Sequence, residues 1–410
     1  MHFPQSFPPD FVEFKKTAFA PKAAQSLKIP LFFDILISKK FRKGPKSMDH
    51  PVTILQIAEE SGVSTATVSR VINGTAPVSQ ATRDRVNAVI ERHAYTPNAF
   101  ARGLISRRSM TIGIIMPDIS NPYFSAMFQE IEAAAQAAHY SVFLCNTSFR
   151  ASTARETELR ELDSFQMMLD KNVDGVLVAG GQADLLCVSE AYRAALRRLS
   201  SLVPVVVLGS PIDGVDCLFI QRERGEGVSA AVRCLASLGH RRIAFLGGEA
   251  GVGITEARLT AYKAALAGLG LPQDDDLIAL SDYYTPDGCR AMSGLLSQKT
   301  PFTALLAMND NVAFGAYRAL ADAGLRVPDD VSVISCDQFF SADYFVPRLT
   351  SVDQHNERFG RLIINALLGV MNGEQAEVSF TYGPELVVRE SCAPITEEKQ
   401  RPGFVDSGEF

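Results

Sequence analysis

Four side chains in the run VSTATVSRVING have the residue types and spacing of DNA base readers: Thr65, Ala66, Ser69 and Arg70. A guanidinium can donate two hydrogen bonds to the edge of guanine, hydroxyl groups bond to several base edges, and an alanine methyl packs against the methyl of thymine. Positions three and four residues apart lie on one face of a helix. A helical run would therefore present these side chains together to the major groove.

Two short helices and a tight turn are predicted to position this surface. Thr53 and Gln56 have the spacing of a capping box, which marks the start of a first helix. The apolar stripe of that helix consists of Ile54, Leu55, Ile57 and Ala58. Gly62 permits the turn, and Ser64 can cap a second helix. The inward positions of the second helix are Val68, Val71 and Ile72.

A third helix is predicted to brace the first two. Asn73 and Gly74 supply a left-handed stop, and Ser79 opens the new helix. Its core-facing residues are Val86, Val89 and Ile90, and its outward arginines are Arg83, Arg85 and Arg92. Two short helices that meet at a glycine turn and pack on a third make a helix-turn-helix, although spacing alone also fits an ordinary three-helix cap.

Charge favours the DNA-binding interpretation. The net charge of −6 divides into +6 for residues 1–47, +2 for 48–110 and −14 for 111–410. In the segment TPNAFARGLISRRS, Pro97 can start a short helix, and the nearby arginines are Arg102, Arg107 and Arg108. Basic residues of the amino-terminal part could meet phosphates in a salt-dependent way, whereas the acidic body would not itself hold DNA.

The chain resembles the LacI/GalR family of bacterial transcription regulators over about residues 51–392, in one collinear register. The resemblance is carried by VSTATVSRVING, YTPNAFARGL, TIGIIMPDISNPYF, LGHRRIAFLGG, AMNDNVAFGAYRAL, GLRVPDDVSVI and LVVRES. It implies a homodimeric repressor on a near-palindromic DNA operator, with an affinity set by a small effector. It also implies three further DNA contacts at Asn98, Arg102 and Leu104, of which Leu104 matches the family's minor-groove wedge.

From Thr111 onward, short apolar runs alternate with amphipathic helices. The strand-like runs are TIGIIMP, YSVFLCN, VDGVLVAG, VPVVVLG, RIAFLGG, TALLAMN and VSVISC. This alternation predicts parallel sheets covered by helices on both faces, with ligands at the carboxyl ends of the strands. The resemblance implies an α/β domain like the periplasmic binding proteins, with two Rossmann-like subdomains. The chain is expected to cross between them near Asp337 and again near Thr381.

The expected organisation begins with an all-α DNA-binding domain. The helix-turn-helix domain spans 48–96, and a hinge helix and linker span 97–110. The effector-binding and dimerisation domain spans 111–392, followed by a tail at 393–410. Its subdomains are expected at about 111–222 with 353–381, and at about 223–352 with 382–392.

Residues 1–47 fit neither domain. They show no lasting helical period, and Asp34 interrupts the only apolar stretch, which argues against a signal peptide. We expect a disordered extension and hypothesise that Met48 is the true start, with 1–47 as translated upstream sequence. The alternative is a basic arm that adds nonspecific affinity for DNA.

Composition agrees with a soluble regulator of about two to three domains. The 410 residues are 47% hydrophobic, and no apolar run approaches the roughly 20 residues that span a membrane. Seven scattered cysteines without CxxC pairing indicate a reduced cytoplasm rather than a disulfide framework or zinc site.

Catalytic patterns are missing from the sequence. GGEAGVG at 247–253 follows a strand but spells neither GxGxxG nor GxxxxGK[ST], so a nucleotide site there is a weak hypothesis. No GxSxG or HExxH occurs, and the six histidines do not cluster with other ligands at metal spacing. We therefore expect that the protein is not an enzyme and that it binds neither a cofactor nor a metal ion.

The resemblance carries seven effector-binding candidates onto this sequence. Tyr123 and Phe124 in NPYF could stack on a sugar or base face. Arg258 matches the family's effector-gripping arginine, whose planar fork can hold two hydroxyls or a carboxylate. The remaining candidates follow strand ends and are Tyr283, Asn309, Asp310 and Asp337. Asp310 could instead cap the helix VAFGAYRAL.

Two departures from the family pattern leave the ligand open. Ser335-Cys336-Asp337 replaces the more usual Gly-aromatic-Asp, and Gly209 stands where some sugar-responsive relatives carry an acid. A sugar, a sugar acid or a nucleoside-like molecule could fit, and sugars rank first on family frequency. The alternative from another class is a solute-binding protein that works by cleft closure without a DNA role.

Overall fold

The computed structural model describes residues 52–74, 76–93, 95, 108–147, 153–222, 224–374, 378 and 382–395. Contacts between Cα atoms divide the chain into two compact units, with the boundary between Pro97 and Asn98.

The first unit is a three-helix helix-turn-helix. Its helices are α1 (Ile54–Ser61), α2 (Thr65–Asn73) and α3 (Gln80–Arg92). The predicted capping box at the start of α1 is confirmed, since the Thr53 side chain accepts from the Gln56 backbone and the Gln56 side chain accepts from Thr53 N. Gly62 and Gly74 end α1 and α2 with φ of 66° and 64°, which explains why a residue without Cβ stands at each stop.

One expectation for α1 is wrong. Leu55 was predicted to share the apolar stripe of α1, but it is 68% exposed, whereas Ile57 is fully buried. Leu55 lies only one residue after Ile54 and two before Ile57, and a helix turns by about 100° per residue, so the three cannot all face one core. The buried cluster of the unit instead consists of Ile57, Ala58, Val68, Val71, Val86 and Val89.

The second unit contains two parallel sheets, as the alternating pattern predicted. The first sheet has the order β2-β1-β3-β4-β5, with all neighbouring pairs parallel. Its strands are β1 (Thr111–Met116), β2 (Ser141–Asn146), β3 (Gly175–Ala179), β4 (Val205–Leu208) and β5 (Leu218–Ile220). Alternate residues of these strands enter two separate clusters, for example Ile114 in one and Ile115 in the other. Both faces of the sheet are therefore buried.

The second sheet has the order β11-β10-β9-β8-β6-β7, and only the pairing of β11 with β10 is antiparallel. Its strands are β6 (Ile243–Leu246), β7 (Ile278–Ala279), β8 (Ala304–Ala307), β9 (Ser332–Ser335), β10 (Thr350–Asp353) and β11 (Glu385–Val387). The seven strands predicted from apolar runs are confirmed as β1–β4, β6, β8 and β9. The sequence interpretation missed β5, β7, β10 and β11, which have two to four residues each.

Eight α-helices follow in the described part of the second unit. They are α4 (Pro122–Ala137), α5 (Ala154–Asp170), α6 (Glu190–Leu202), α7 (Glu226–Ser237), α8 (Gly253–Gly268), α9 (Thr285–Ser297), α10 (Asp310–Asp322) and α11 (Asn356–Met371). None of the helices in the ranges given above is long and apolar enough to cross a membrane.

Two positions were expected for the first crossing, one near Asp337 and one between residues 352 and 353 from the subdomain limits. The position near Asp337 is wrong. The chain was expected to leave the second sheet near Asp337, but β10 pairs with β9 in that sheet and ends at Asp353. Helix α11 then packs against α4 and β3 of the first sheet. The crossing therefore follows Asp353, because the segment after Asp337 first adds another strand. Thr381, where the next crossing was expected, lies outside the described residues.

Candidate functional site

The predicted base readers lie on helix α2, opposite its buried face. Ser64 caps this helix by accepting a hydrogen bond from Thr67 N at 3.2 Å. Ala66 and Arg70 are exposed, and Thr65 and Ser69 are partly exposed. Val68 and Val71 on the opposite side are 0% and 7% exposed. The helix thus presents a small polar surface with one guanidinium. The three other DNA-binding candidates, Asn98, Arg102 and Leu104, lie outside the described residues.

A cavity of about 480 Å³ in the second unit collects residues from both sheets. The segments after β1, β3 and β5 line it from the first sheet, and those after β6, β7, β8 and β9 from the second. It therefore lies at the carboxyl ends of the parallel strands, where ligands bind in open α/β sheets. Six of the seven effector candidates line it, namely Tyr123, Phe124, Arg258, Tyr283, Asn309 and Asp337.

A buried ion pair with two hydrogen bonds lines this cavity. Arg258 donates to Asp337 through both terminal nitrogens, at 2.9 Å from Nη1 and 2.7 Å from Nη2, and Nη1 also donates to Met308 O at 2.6 Å. The two side chains are only 4% and 11% exposed. Burial alone would lower the pKa of Arg258, but the charge and hydrogen bonds of Asp337 raise it above its usual value. Arg258 is therefore a fixed, permanently charged donor.

Aromatic rings and amides line the cavity on both sides. Tyr123 and Phe124 meet edge to face with centroids 5.0 Å apart. The Tyr283 hydroxyl lies 2.7 Å from Thr255 Oγ1, and burial raises the pKa of Tyr283 to about 12. Asn309 caps α10 by accepting from Val312 N, and its Nδ2 donates to Tyr283 O at 3.1 Å. The cavity thus combines flat apolar surfaces with hydrogen-bonding groups of fixed direction.

Asp310 does not line the cavity. It is 1% exposed, and its carboxylate accepts hydrogen bonds from Phe339 N at 2.8 Å and Ser351 Oγ at 3.3 Å. The alternative capping role is also wrong, because Asn309 is the cap of α10. Burial raises the pKa of Asp310 to about 7. Its contacts position the segment that follows Asp337.

The sequence interpretation missed several lining residues. Arg224 Nη1 forms an ion pair with Asp184 Oδ1 at 2.7 Å. Arg222 Nη1 donates to Asn356 Oδ1 at 2.7 Å, and its guanidinium lies 4.8 Å from the centre of the Phe359 ring. Arg222 and Arg224 lie two and four residues after the end of β5. The strand-end rule that found Asn309 would therefore have indicated this segment had the three-residue strand been recognised.

The two departures from the family pattern have different structural consequences. Cys336 is fully buried, and Ser335 Oγ donates to Asp337 O at 2.9 Å, which fixes the turn into the cavity. A Cβ on Gly209 would lie 2.5 Å from Ala183 O, so an acid at that position requires the backbone to move. Among the described residues, no group of His, Cys, Asp and Glu could hold a metal ion.

The two units together define a DNA-binding regulator with a ligand-binding domain. Residues 53–98 match the profile of the bacterial regulatory proteins of the lacI family, and residues 232–392 match a periplasmic binding protein-like domain. Catabolite control protein A of Priestia megaterium is 34% identical over 337 residues, which cover 82% of this chain and 97% of that protein. The chain belongs to the LacI family. It is a transcriptional regulator and not an enzyme.

Further relatives and solved structures agree with this assignment. The transcriptional repressor PurR of Photobacterium profundum is 31% identical, covering 84% of this chain and 99% of the relative. A crystal structure of the lac repressor dimer bound to operator and an anti-inducer superposes with a TM-score of 0.73 at 26% identity, covering 84% of this chain and 99% of that one. A complex of the regulator CelR with cellobiose superposes with a TM-score of 0.60 at 28% identity, covering 83% and 99%.

Proposed function

We propose that this regulator is a homodimeric repressor that reads a near-palindromic operator and changes its operator affinity when a sugar or sugar derivative occupies the cavity. The observation that carries the effector part of the proposal is the cavity, because two aromatic rings and a buried Arg–Asp pair line it together. Aromatic faces pack on sugar rings, and fixed donors and acceptors orient hydroxyl groups. The lac repressor and CelR relatives bind an operator and cellobiose, respectively.

The exposed face of α2 supports sequence reading by Arg70 and its neighbours. Selection of bound sequences from random DNA is the direct test, with Arg70→Ala compared with Arg85→Ala. Both arginines are exposed, but Arg85 lies on α3 rather than on the reading helix. We expect Arg70→Ala to relax base preference at one position per half-site and Arg85→Ala to leave the selected sequence unchanged.

The outcomes of that selection separate the alternatives. An enriched palindrome that loses a position in Arg70→Ala supports a dimeric reader. Unchanged preference in Arg70→Ala would refute the assigned reading face. For the wedge residue proposed from the family resemblance, Leu104→Ala is expected to weaken specific binding far more than nonspecific binding, and equal losses on both DNAs would refute that role.

The effector proposal is tested by calorimetric titration with ribose, cellobiose, gluconate and adenosine. For whichever compound binds, Tyr123→Phe removes one hydroxyl at the cavity, and Tyr140→Phe removes one outside its lining. We expect about a tenfold weaker affinity only in Tyr123→Phe, since loss of one ligand hydrogen bond costs about 1 kcal/mol or more. Equal affinities in both variants would remove Tyr123 from the binding site.

An exposed apolar surface supports the homodimer. Phe340, Tyr344 and Val346 are 82%, 80% and 91% exposed, and they lie in or beside one short 3-10 helix, Phe340–Tyr344. Exposed apolar groups of this size in one segment are typical of an interface. We expect Tyr344→Asp to raise the dimer dissociation constant at least tenfold in sedimentation experiments. Leu202→Asp, which changes a separate residue that is 64% exposed, should leave the dimer intact.

A further inference from the structure

The two halves of the second unit are joined across the cavity by a side-chain hydrogen bond. Tyr284, which follows β7 of the second sheet, donates from its hydroxyl to Asp118 Oδ2 at 2.7 Å. Asp118 follows β1 of the first sheet and is 6% exposed. Its other oxygen accepts from Ser120 N at 2.9 Å and from Ser120 Oγ at 2.7 Å. The acceptor for Tyr284 is therefore held in place by contacts within its own half.

A backbone contact joins the same two halves at a second point. Leu185, in the segment after β3, forms an antiparallel bridge with Val252, in the segment after β6. Leu186 N donates to Gly251 O at 3.1 Å. Backbone hydrogen bonds of this kind require both segments to lie at strand-pairing distance. The two halves are therefore in contact at a second place, the cavity rim formed by Leu185, Leu186, Gly251 and Val252.

The segment that reaches across from the first sheet is itself anchored. Glu161 Oε1 accepts from Gln182 N at 2.9 Å, and Asp184 pairs with Arg224. Gly180 and Gly181 have φ of 71° and 64°, which only glycine adopts at little cost. These contacts hold the segment that carries the Leu185 bridge.

We propose that Tyr284 and Asp118 form a latch that holds the two halves together through the chain's own atoms, so that an effector enters only when the latch opens. The latch requires no ligand for its contacts, because every donor and acceptor belongs to the protein. Its consequence for entry rests on the proposed effector site. A charged acceptor and partial burial give such a hydrogen bond more weight than one between neutral exposed groups.

Hydrogen exchange of the full-length protein, measured by mass spectrometry without added effector, tests the latch. The reporter is the amide of Leu186, which exchanges only when its bond to Gly251 O opens. Tyr284→Phe removes the hydroxyl donor, and we expect the reporter to exchange at least about tenfold faster, as the loss of a hydrogen bond to a charged group implies.

Tyr317→Phe is the matched control. It also removes a phenol hydroxyl, but that hydroxyl donates to Pro347 O at 3.2 Å within the same half, and neither residue lines the cavity. We expect its reporter to exchange as in the unaltered protein. Asp118→Asn keeps the side-chain shape and removes the charge, so an intermediate acceleration is expected.

Each outcome supports or overturns the latch. Faster exchange in Tyr284→Phe that is confined to the Leu186 amide at the cavity rim supports the latch. An unchanged reporter in Tyr284→Phe overturns it, and so does equal acceleration of the rim and of the buried strands β3 and β8, which would assign Tyr284 to the whole fold. Because no effector is added, rim acceleration together with no binding of ribose, cellobiose, gluconate or adenosine would leave the latch standing and count against the effector proposal alone.

Discussion

Replacing Asp337 by alanine tests how much the Arg258–Asp337 pair contributes to the free energy of unfolding. The substitution removes both acceptors of a bidentate contact and leaves a guanidinium that is only 4% exposed. Arg258 would retain its bond to Met308 O, while its Nε already has no hydrogen-bond partner among the described residues. Breaking a buried pair in this way costs about 3–5 kcal/mol. We expect a loss of about 3 kcal/mol in the free energy of unfolding, at the lower end of this range. The reason is that the pair borders a cavity, from which water can reach the guanidinium once its partner is removed.

Urea unfolding followed by circular dichroism measures this cost as a lower midpoint at unchanged slope. The double variant with Arg258→Met is expected to recover part of the loss, since removing both charges is far cheaper than removing one. The expected coupling energy is about 2 kcal/mol or more. Asp322→Ala, which breaks the exposed pair with Arg318, should change nothing measurable. A loss below about 1 kcal/mol in Asp337→Ala, or additivity in the double variant, would refute the reasoning.

Three further predictions concern buried acid, backbone conformation and capping. Burial raises the pKa of Glu161 from 4.5 to about 7, so the folded state holds its proton more tightly than the unfolded chain does. Its contribution to stability is complete below pH 4.5 and is lost as the pH rises to about 7. Glu161→Gln should therefore be more stable than the unaltered protein at pH 8 by up to about 3 kcal/mol, but not at pH 4.5, and identical pH dependence of the urea midpoints would contradict this. Gly181→Ala should lower the thermal midpoint more than Gly270→Ala, because both positions have φ of +64° but only a Cβ at Gly181 would overlap a neighbour, the Glu161 carboxylate. Ser64→Ala should destabilise the first unit by about 1 kcal/mol through loss of its helix cap, and an unchanged melting curve of that unit would argue against the cap.

Local chemistry explains which elements could be predicted. Caps depend on one or two neighbouring residues, so the starts at Thr53, Ser64 and Ser79 and the stop at Gly74 were correct. Long apolar runs were correctly assigned to strands because a buried parallel sheet requires them. Strands β5 and β7 were missed because two or three residues are too few to show any periodicity.

The residues of the cavity were harder to predict than the helices and strands, because their positions depend on contacts between residues that are distant in the sequence. The strand-end rule placed Asn309 and Asp337 at the cavity, but it could not show that the Asp310 carboxylate faces Phe339 and Ser351 instead. It also could not show that Tyr284 would reach Asp118, which is 166 residues away in the chain. Such pairings depend on how the two sheets are placed against each other, which local sequence patterns do not encode.

The electrostatics of the cavity add a physical argument to the ranking of sugars as effectors. Two of the three lining arginines face a carboxylate at ion-pair distance, in the pairs Arg258–Asp337 and Arg224–Asp184. Each pair presents fixed donors and acceptors whose charges largely compensate each other, so a neutral polyhydroxyl ligand can hydrogen-bond to them without bringing an ion out of water. A ligand anion at Arg258 would have to compete with Asp337 for the same two nitrogens. This competition supports a neutral hydroxyl-rich ligand over a carboxylate at that end of the cavity.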